Sequence, residues 1–189
     1  NNIYLLKDSG ETKINEKITL NVLSVFDREN WIKPTNGDAI NIALYHGSIH
    51  GCQTSQGFVI QEGEDSVDIF NDFDFALLGD IHKQQKMDLK GKVRYAGSTI
   101  QQNFGESINK GFLMWNIRDK EDWNCQHVSI VNPRPFITID LTPQGKLPAT
   151  IVPKGCRLRI RSSANVSPMM LKAACDYAQC KWQPYSVSF

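Results

Sequence analysis

The stretch Phe73-Asp74-Phe75-Ala76-Leu77-Leu78-Gly79-Asp80-Ile81-His82-Lys83 decides how this chain reads. Its first half is a short apolar run of the length and composition of a buried strand. Its second half breaks at a glycine and delivers a carboxylate and an imidazole. In an extended or turning segment Asp80 and His82 point to the same side, because side chains alternate with period two. An earlier run repeats the arrangement: Ala39-Ile40-Asn41-Ile42-Ala43-Leu44-Tyr45 ends at His46-Gly47, followed by Ser48-Ile49-His50-Gly51. Glycines beside a strand end let other groups approach closely. A single strand-end histidine or a lone Asp-x-His carries little weight. Two apolar strands that each end in glycine-flanked donors, in a chain with only four histidines, carry more. A mixed carboxylate and imidazole set suits Mn2+, Fe2+ or Zn2+ better than Ca2+ or a thiolate-preferring metal. His50 stands four residues past His46, but Gly47 and Gly51 argue against the helix that such a ligand pair needs.

Working outward, Ile18 to Val25 alternates as a half-buried strand should, and Val93 to Ala96, Gly111 to Ile117 and Gln126 to Val131 read as further strands. Asn132-Pro133-Arg134-Pro135 then favours an extended linker. Beyond it, Phe136 to Leu141 and Cys156 to Arg161 alternate cleanly, and the arginines of the second share one face. Ser167-Pro168 opens a helix, since Ser is a preferred N-cap and Pro is tolerated at the first helical position. Met170, Leu171, Ala174, Tyr177 and Ala178 recur on it at three-to-four spacing, with Pro184 past its end and a closing strand over 185–189. The chain is therefore expected to hold two units, residues 1–131 and a small β-β-α-β unit over 132–189.

Charge supports that division. The 189 residues carry 21 Lys+Arg and 20 Asp+Glu, a net of +1. Residues 132–189 hold eight of the bases and two of the acids, a net of +6, which leaves −5 for residues 1–131. Two units with different electrostatic tasks are implied. Hydrophobic residues at 41% exclude a disordered chain. No run approaches the ~20 apolar residues of a membrane span. The five cysteines are scattered without a Cys-x-x-Cys pair, so neither a zinc ribbon nor a disulfide framework is indicated, and reduced thiols in a cytoplasmic protein are expected. The first residues, Asn1 to Leu5, show neither an initiator Met nor a signal peptide.

Downstream of the Asp-x-His, residues 83–94 contain Lys83, Lys86, Lys90, Lys92 and Arg94 against Asp88 alone, a local excess that attracts phosphates. Tyr95-Ala96-Gly97-Ser98-Thr99-Ile100-Gln101-Gln102-Asn103-Phe104-Gly105-Glu106 follows, then Lys110-Gly111-Phe112. Its amide and hydroxyl donors suit a phosphodiester backbone.

The ordered set His46-Gly47, Gly79-Asp80-Ile81-His82-Lys83, Tyr95-Ala96-Gly97-Ser98, Gln102-Asn103-Phe104-Gly105-Glu106 and Lys110-Gly111-Phe112 resembles the SbcD-type DNA double-strand-break-repair nucleases. These belong to the calcineurin-like metallophosphoesterase superfamily, and a phage or viral branch is suggested. The resemblance covers about residues 38–117 well, and Arg134-Pro135-Phe136 resembles the entry to that family's DNA-capping domain. It implies an α/β fold: the C-terminal half of a two-sheet (αββα) phosphoesterase domain, then an incomplete capping unit. It implies a hydrolase that cleaves DNA as an exonuclease or endonuclease, in repair or recombination, with two divalent metal ions of manganese type. By the same resemblance His46 matches the metal-binding His of the late His-Gly motif. His82 matches the last histidine of the Gly-His-x-His motif, a ligand of the other ion, and Asp80 stands where that motif has its first histidine. DNA contacts fall to Lys83, Arg94, Ser98 and Gln102. The implied partners are DNA, an SMC-like ATPase of the SbcC type and a second nuclease subunit, with no membrane.

The early family motifs Asp-x-His, Gly-Asp-x-x-Asp and Gly-Asn-His-Asp do not precede His46, and Gly37-Asp38 lacks the second Asp. The chain is therefore expected to begin after them, so that the bridging Asp and the catalytic His lie upstream and the chain alone is inactive. Two other readings stay open: a general phosphoesterase of small substrates, and a non-catalytic DNA-binding or assembly module whose Asp80 marks a decayed metal site.

Overall fold

A computed structural model describes residues 5–189, which form a mixed α/β chain. It divides into two compact units. One runs up to Thr99 and takes in Gly111–Ser129; the other joins Ile100–Lys110 to Ile130–Phe189. The sequence reading divides the chain once, after residue 131, and leaves Ile100–Lys110 with the first part; in the structure that loop belongs to the second unit.

The first unit is built on a six-stranded sheet of order β1-β2-β3-β4-β6-β5. Strands β2 (Ile18–Leu23), β3 (Ile40–His46), β4 (Phe75–Gly79) and β6 (Val93–Tyr95) run parallel. Short antiparallel strands β1 (Gly10–Lys13) and β5 (Gln85–Lys86) close the two edges. Neither edge strand shows an apolar alternation, which is why the sequence reading passes over both. The central strands β3 and β4 are buried on both faces, as parallel strands between covering layers are. Ala43, Tyr45, Ala76, Leu78 and Tyr95 pack on one face with Ile49, Cys52 and Phe70 from the loops. Ile40, Ile42 and Phe75 pack on the other.

That second face meets a separate antiparallel hairpin, β7 (Gly111–Ile117) and β8 (Trp123–Ser129). Trp115 and Trp123 stand edge-on to Phe75, with ring centroids 5.9 and 5.4 Å apart. Strand β8 starts at Trp123, three residues before the apolar pattern begins, because Trp123 completes this contact. Lys120 pairs with Asp74 at 3.2 Å and Lys92 with Glu121 at 3.0 Å, pinning the hairpin's turn to the sheet.

The second unit is a three-stranded parallel sheet of order β11-β10-β9 with one helix. Its strands are β9 (Phe136–Asp140), β10 (Arg157–Arg161) and β11 (Ser186–Ser188), and α1 spans Pro168–Trp182. The β-β-α-β order is the one the sequence pattern predicts. The Ser167 hydroxyl accepts the Met170 N–H as the N-cap, and Gln183 ends the helix in the left-handed region at φ 47°. The buried stripe differs from the predicted one: Ala174, Ala178 and Trp182 face the core, whereas Met170 and Tyr177 are exposed. Ala174 and Ala178 let the helix lie close on Ile139, Leu158 and Ile160. Among the described residues no helix is long and apolar enough to cross a membrane.

Candidate functional site

Parallel pairing of β3 and β4 places His46 directly beside Gly79. A Cβ on Gly79 would lie 2.6 Å from His46 Nδ1, so the glycine is what gives the imidazole room. The next residue, Asp80, takes φ 85°, a left-handed conformation that Asp tolerates better than most residues and that costs energy all the same. That turn brings Asp80 Oδ1 to 3.9 Å from His46 Nε2, with the two side chains 48% and 80% exposed. Both line a cavity of about 560 Å3 at the carboxyl ends of β2, β3 and β4, together with Val22, Leu44, Leu77 and Glu64. Crevices at the carboxyl ends of parallel strands are where open α/β sheets bind ligands.

The turn after His46 is held from inside and outside. Tyr95, fully buried, donates its hydroxyl to the Gly47 carbonyl at 2.6 Å and accepts the Ile49 N–H at 2.9 Å. Burial pushes the Tyr95 hydroxyl pKa well up, so it stays a neutral donor. From outside, the Ser48 N–H donates to Glu64 Oε2 at 2.8 Å while the Glu64 N–H donates to Ser48 Oγ at 3.1 Å. Tyr45, raised by burial and then by its bond to Asp65, donates to Asp65 Oδ2 at 2.7 Å, and Arg28 pairs with the other Asp65 oxygen at 2.6 Å.

His46 Nε2 and Asp80 Oδ1 stand close enough to be two donors of one divalent ion at ordinary ligand distances of about 2.0–2.2 Å. Around them the described residues gather no third His, Cys, Asp or Glu in a metal-holding group. His82 and His50 therefore complete no such set with this pair.

The four residues expected at DNA take different places. Arg94 is a correction: it is 9% exposed, donates Nε to the Gly91 carbonyl and lies over the rings of Trp115 and Trp123 at 5.3 and 5.7 Å. It fastens the hairpin to the sheet, and its guanidinium is not presented to a phosphate. Lys83 donates Nζ to Gln53 Oε1, beside a further tie from Gln85 Nε2 to the Gln53 carbonyl at 2.8 Å. The Ser98 hydroxyl is buried with no hydrogen-bond partner among the described residues. Gln102 is exposed, and its N–H donates to Glu106 Oε2 at 3.0 Å. The basic run thus loses Arg94 to the core and Lys92 to Glu121, leaving Lys86 and Lys90 as its exposed cations.

The polar loop is a structural element of the second unit. Gln101, buried, donates Nε2 to the Phe136 carbonyl and accepts the Phe136 N–H with Oε1, at 3.2 and 3.1 Å, imitating a neighbouring strand at the β9 edge. Glu106 and Lys110 form an ion pair at 3.1 Å whose side chains are 3% and 6% exposed. Sequence reading treats these residues as ligand-facing; apart from their position inside a polar run, nothing in the sequence distinguishes them as packing residues.

The sheet face opposite α1 carries a different array. Register pairs Arg157 with Phe136, Arg159 with Thr138 and Arg161 with Asp140. Arg157 lies over Phe136 at 4.9 Å, Arg159 over Phe104 at 4.6 Å and Arg134 over Tyr185 at 4.3 Å. Arg161 binds both Asp140 oxygens and holds that carboxyl below its ordinary range. Arg159 Nε is buried without a partner among the described residues. The shared face of these arginines is visible in the alternation of β10, but their aromatic supports come from three other segments.

No family model matches the chain. It is similar to the uncharacterized protein R555 of Acanthamoeba polyphaga mimivirus, with 30% identity over 168 residues, 83% of this chain and 12% of that protein. The chain thus spans about 12% of the length of the curated relative it matches.

Proposed function

We propose that this chain is a portion of a calcineurin-like, SbcD-type metal-dependent DNA nuclease, with phosphoesterase elements over the first unit and a capping unit over the second. One observation carries the reading: His46 and Asp80 meet 3.9 Å apart at the carboxyl ends of adjacent parallel strands, in an open cavity. The tryptophan hairpin stacked on the main sheet is in keeping with a two-sheet domain, and the similarity to a giant-virus protein with a viral branch. His46 and Asp80 would hold a divalent ion of manganese type. When bound, such an ion supplies Lewis-acid stabilisation of phosphoryl charge and an activated water. The chain's own part is to fix the two donors: Gly79 makes room for the imidazole and the left-handed turn at Asp80 aims the carboxylate. Arg134, Arg157 and Arg159, spread over their aromatic supports, would meet a phosphodiester backbone.

The assay is hydrolysis of duplex DNA against p-nitrophenyl phosphate esters by the protein from the complete reading frame in Mn2+. Cleavage of DNA lost in His46→Ala supports the nuclease. Preference for the small ester supports a general phosphoesterase instead. A second reading, a non-catalytic DNA-binding or assembly module, is supported by the arginines carried on aromatic rings in the second unit. Two metal ions per chain by elemental analysis would overturn it. The salt dependence of DNA binding tests the arginine face. Each of Arg157→Ala and Arg159→Ala should flatten the slope of log K against log salt by roughly 0.9 for duplex DNA. SMC-like ATPase and second-subunit partners rest on the same family resemblance.

A further inference from the structure

We propose that Glu64 is a positioning residue for His46, an inference that rests on the metal-binding reading above. Glu64 belongs to no motif of the resemblance, and it lines the same cavity as His46 and Asp80. Its carboxylate faces the turn that follows His46: Oε2 accepts the Ser48 N–H at 2.8 Å, and the Glu64 N–H returns a bond to Ser48 Oγ at 3.1 Å. The clasp is reciprocal, so each residue orders the other. Gly47 is cut to fit it, since a Cβ there would lie 2.5 Å from Glu64 Oε2 and 2.6 Å from the Tyr45 hydroxyl. Two further backbone bonds extend the clasp, from the Asp65 N–H to the Ser48 carbonyl at 3.2 Å and from the His50 N–H to the Asp65 carbonyl at 2.9 Å.

With Tyr95 gripping Gly47 and Ile49 from the core side, the turn is fixed on both faces. The two grips differ in kind. Tyr95 is buried and its loss disturbs the core, whereas Glu64 is exposed and its bonds act on the turn alone. An exposed imidazole has little packing of its own to fix it, so its direction depends on the backbone that carries it. Residues that orient metal ligands without touching the metal commonly contribute roughly 10–100-fold in affinity. Glu64 fits that role through the backbone of Gly47 and Ser48.

The test compares the protein with Glu64→Gln and Glu64→Ala at one pH, using Mn2+ broadening of the His46 ring protons and the contact between the His46 ring and the Gly79 α-protons by NMR. Gln keeps an oxygen for the Ser48 N–H and removes the charge; Ala removes both. Positioning predicts that Gln leaves Mn2+ affinity and the His46–Gly79 contact near wild type. Ala should weaken the affinity roughly 10–100-fold and lose the contact, with an unchanged far-UV spectrum. If Gln behaves as Ala does, the carboxylate charge is what matters and positioning is overturned. If Ala leaves the His46–Gly79 contact intact, positioning is overturned as well. Should wild type show no Mn2+ broadening at His46, the metal reading fails by itself, and the His46–Gly79 contact in the two variants still decides the role of Glu64.

Discussion

His46 Nε2 faces Asp80 Oδ1 across 3.9 Å, and the two residues reach that distance from different strands by different backbone means. His46 is the last residue of β3 and projects where the register puts it, beside Gly79. Asp80 lies one residue beyond β4 and turns toward His46 only because its φ is 85°. The imidazole is thus placed by regular pairing, the carboxylate by a left-handed turn that is paid for in stability.

That cost makes Asp80→Gly informative. Glycine adopts φ near 85° without the Cβ penalty, so the variant should gain about 1 kcal/mol, less glycine's extra chain entropy in the unfolded state. Asp80→Ala keeps the strain and should be the least stable of the three. On the proposed metal reading, both variants should lose Mn2+ binding at His46. A rise or parity of Tm in Asp80→Gly, with Asp80→Ala lower, checks the backbone account. Equal Tm for the two variants would refute it.

The strands of this fold are legible in sequence because buried parallel strands must be apolar, and Ala39 to Tyr45 and Phe73 to Leu78 can be little else. The helix of the second unit is legible from its Ser-Pro opening, but its buried stripe is not. Periodicity admits Met170 and Tyr177 as readily as Ala174 and Trp182, and tertiary packing selects the alanines. At the site, the strand ends that bring His46 and Asp80 together are legible because glycines flank them. Arg94 misleads because a cation over two tryptophans has the same sequence signature as one over a phosphate; the difference lies in Trp115 and Trp123, more than twenty residues away. Glu64 escapes notice for the converse reason, since its partner Ser48 is sixteen residues distant and neither residue type is distinctive in a loop.

The cysteines provide a test of the two cores. Cys52 and Cys156 are fully buried, and burial pushes both thiols up, while Cys180 lies exposed on α1. Thiolate is the reactive form, so at about pH 8 a thiol reagent should modify Cys180 first and reach Cys52 and Cys156 only through opening of the fold. Mass mapping of partially modified protein checks the order. Early modification of Cys156 would show that the second unit's core is not closed as described.

Asp27 governs a pH dependence in the first unit. The Ser9 hydroxyl and N–H both donate to its carboxylate, at 2.5 and 2.9 Å, and hold its pKa below the ordinary value of 3.8. A carboxyl depressed in the folded state adds stability above its unfolded pKa, and that stability drains away as pH falls through the folded value. Urea midpoints of wild type and Asp27→Asn should therefore differ most near neutrality and converge in acid below about pH 3.8. A gap that widens toward low pH would reverse the assignment. Because Asp27 is only half-buried, the effect is small, and the sign of the trend carries the test.

The ion pair of Glu106 and Lys110 gives the sharpest stability prediction, because its two charges are almost wholly removed from water. A lone buried charge is far costlier than a buried pair, while an uncharged replacement of both is often neutral. Lys110→Met alone should cost about 3–5 kcal/mol, since it strands the Glu106 carboxylate. Adding Glu106→Gln relieves the stranded charge and keeps an oxygen for the Gln102 N–H, so the double variant should recover most of that loss. The recovery distinguishes this pair from an exposed one such as Lys172 and Asp176, where removing either partner should leave stability essentially unchanged. A double-mutant cycle by urea denaturation measures the coupling. Coupling near zero would mean that the ion pair does not hold the loop, which then rests on the two bonds of Gln101 to Phe136 and on Phe104 against Phe136 and Arg159. In that case Gln101→Ala, and not Lys110→Met, should be the variant that frees Ile100–Lys110 from the second unit.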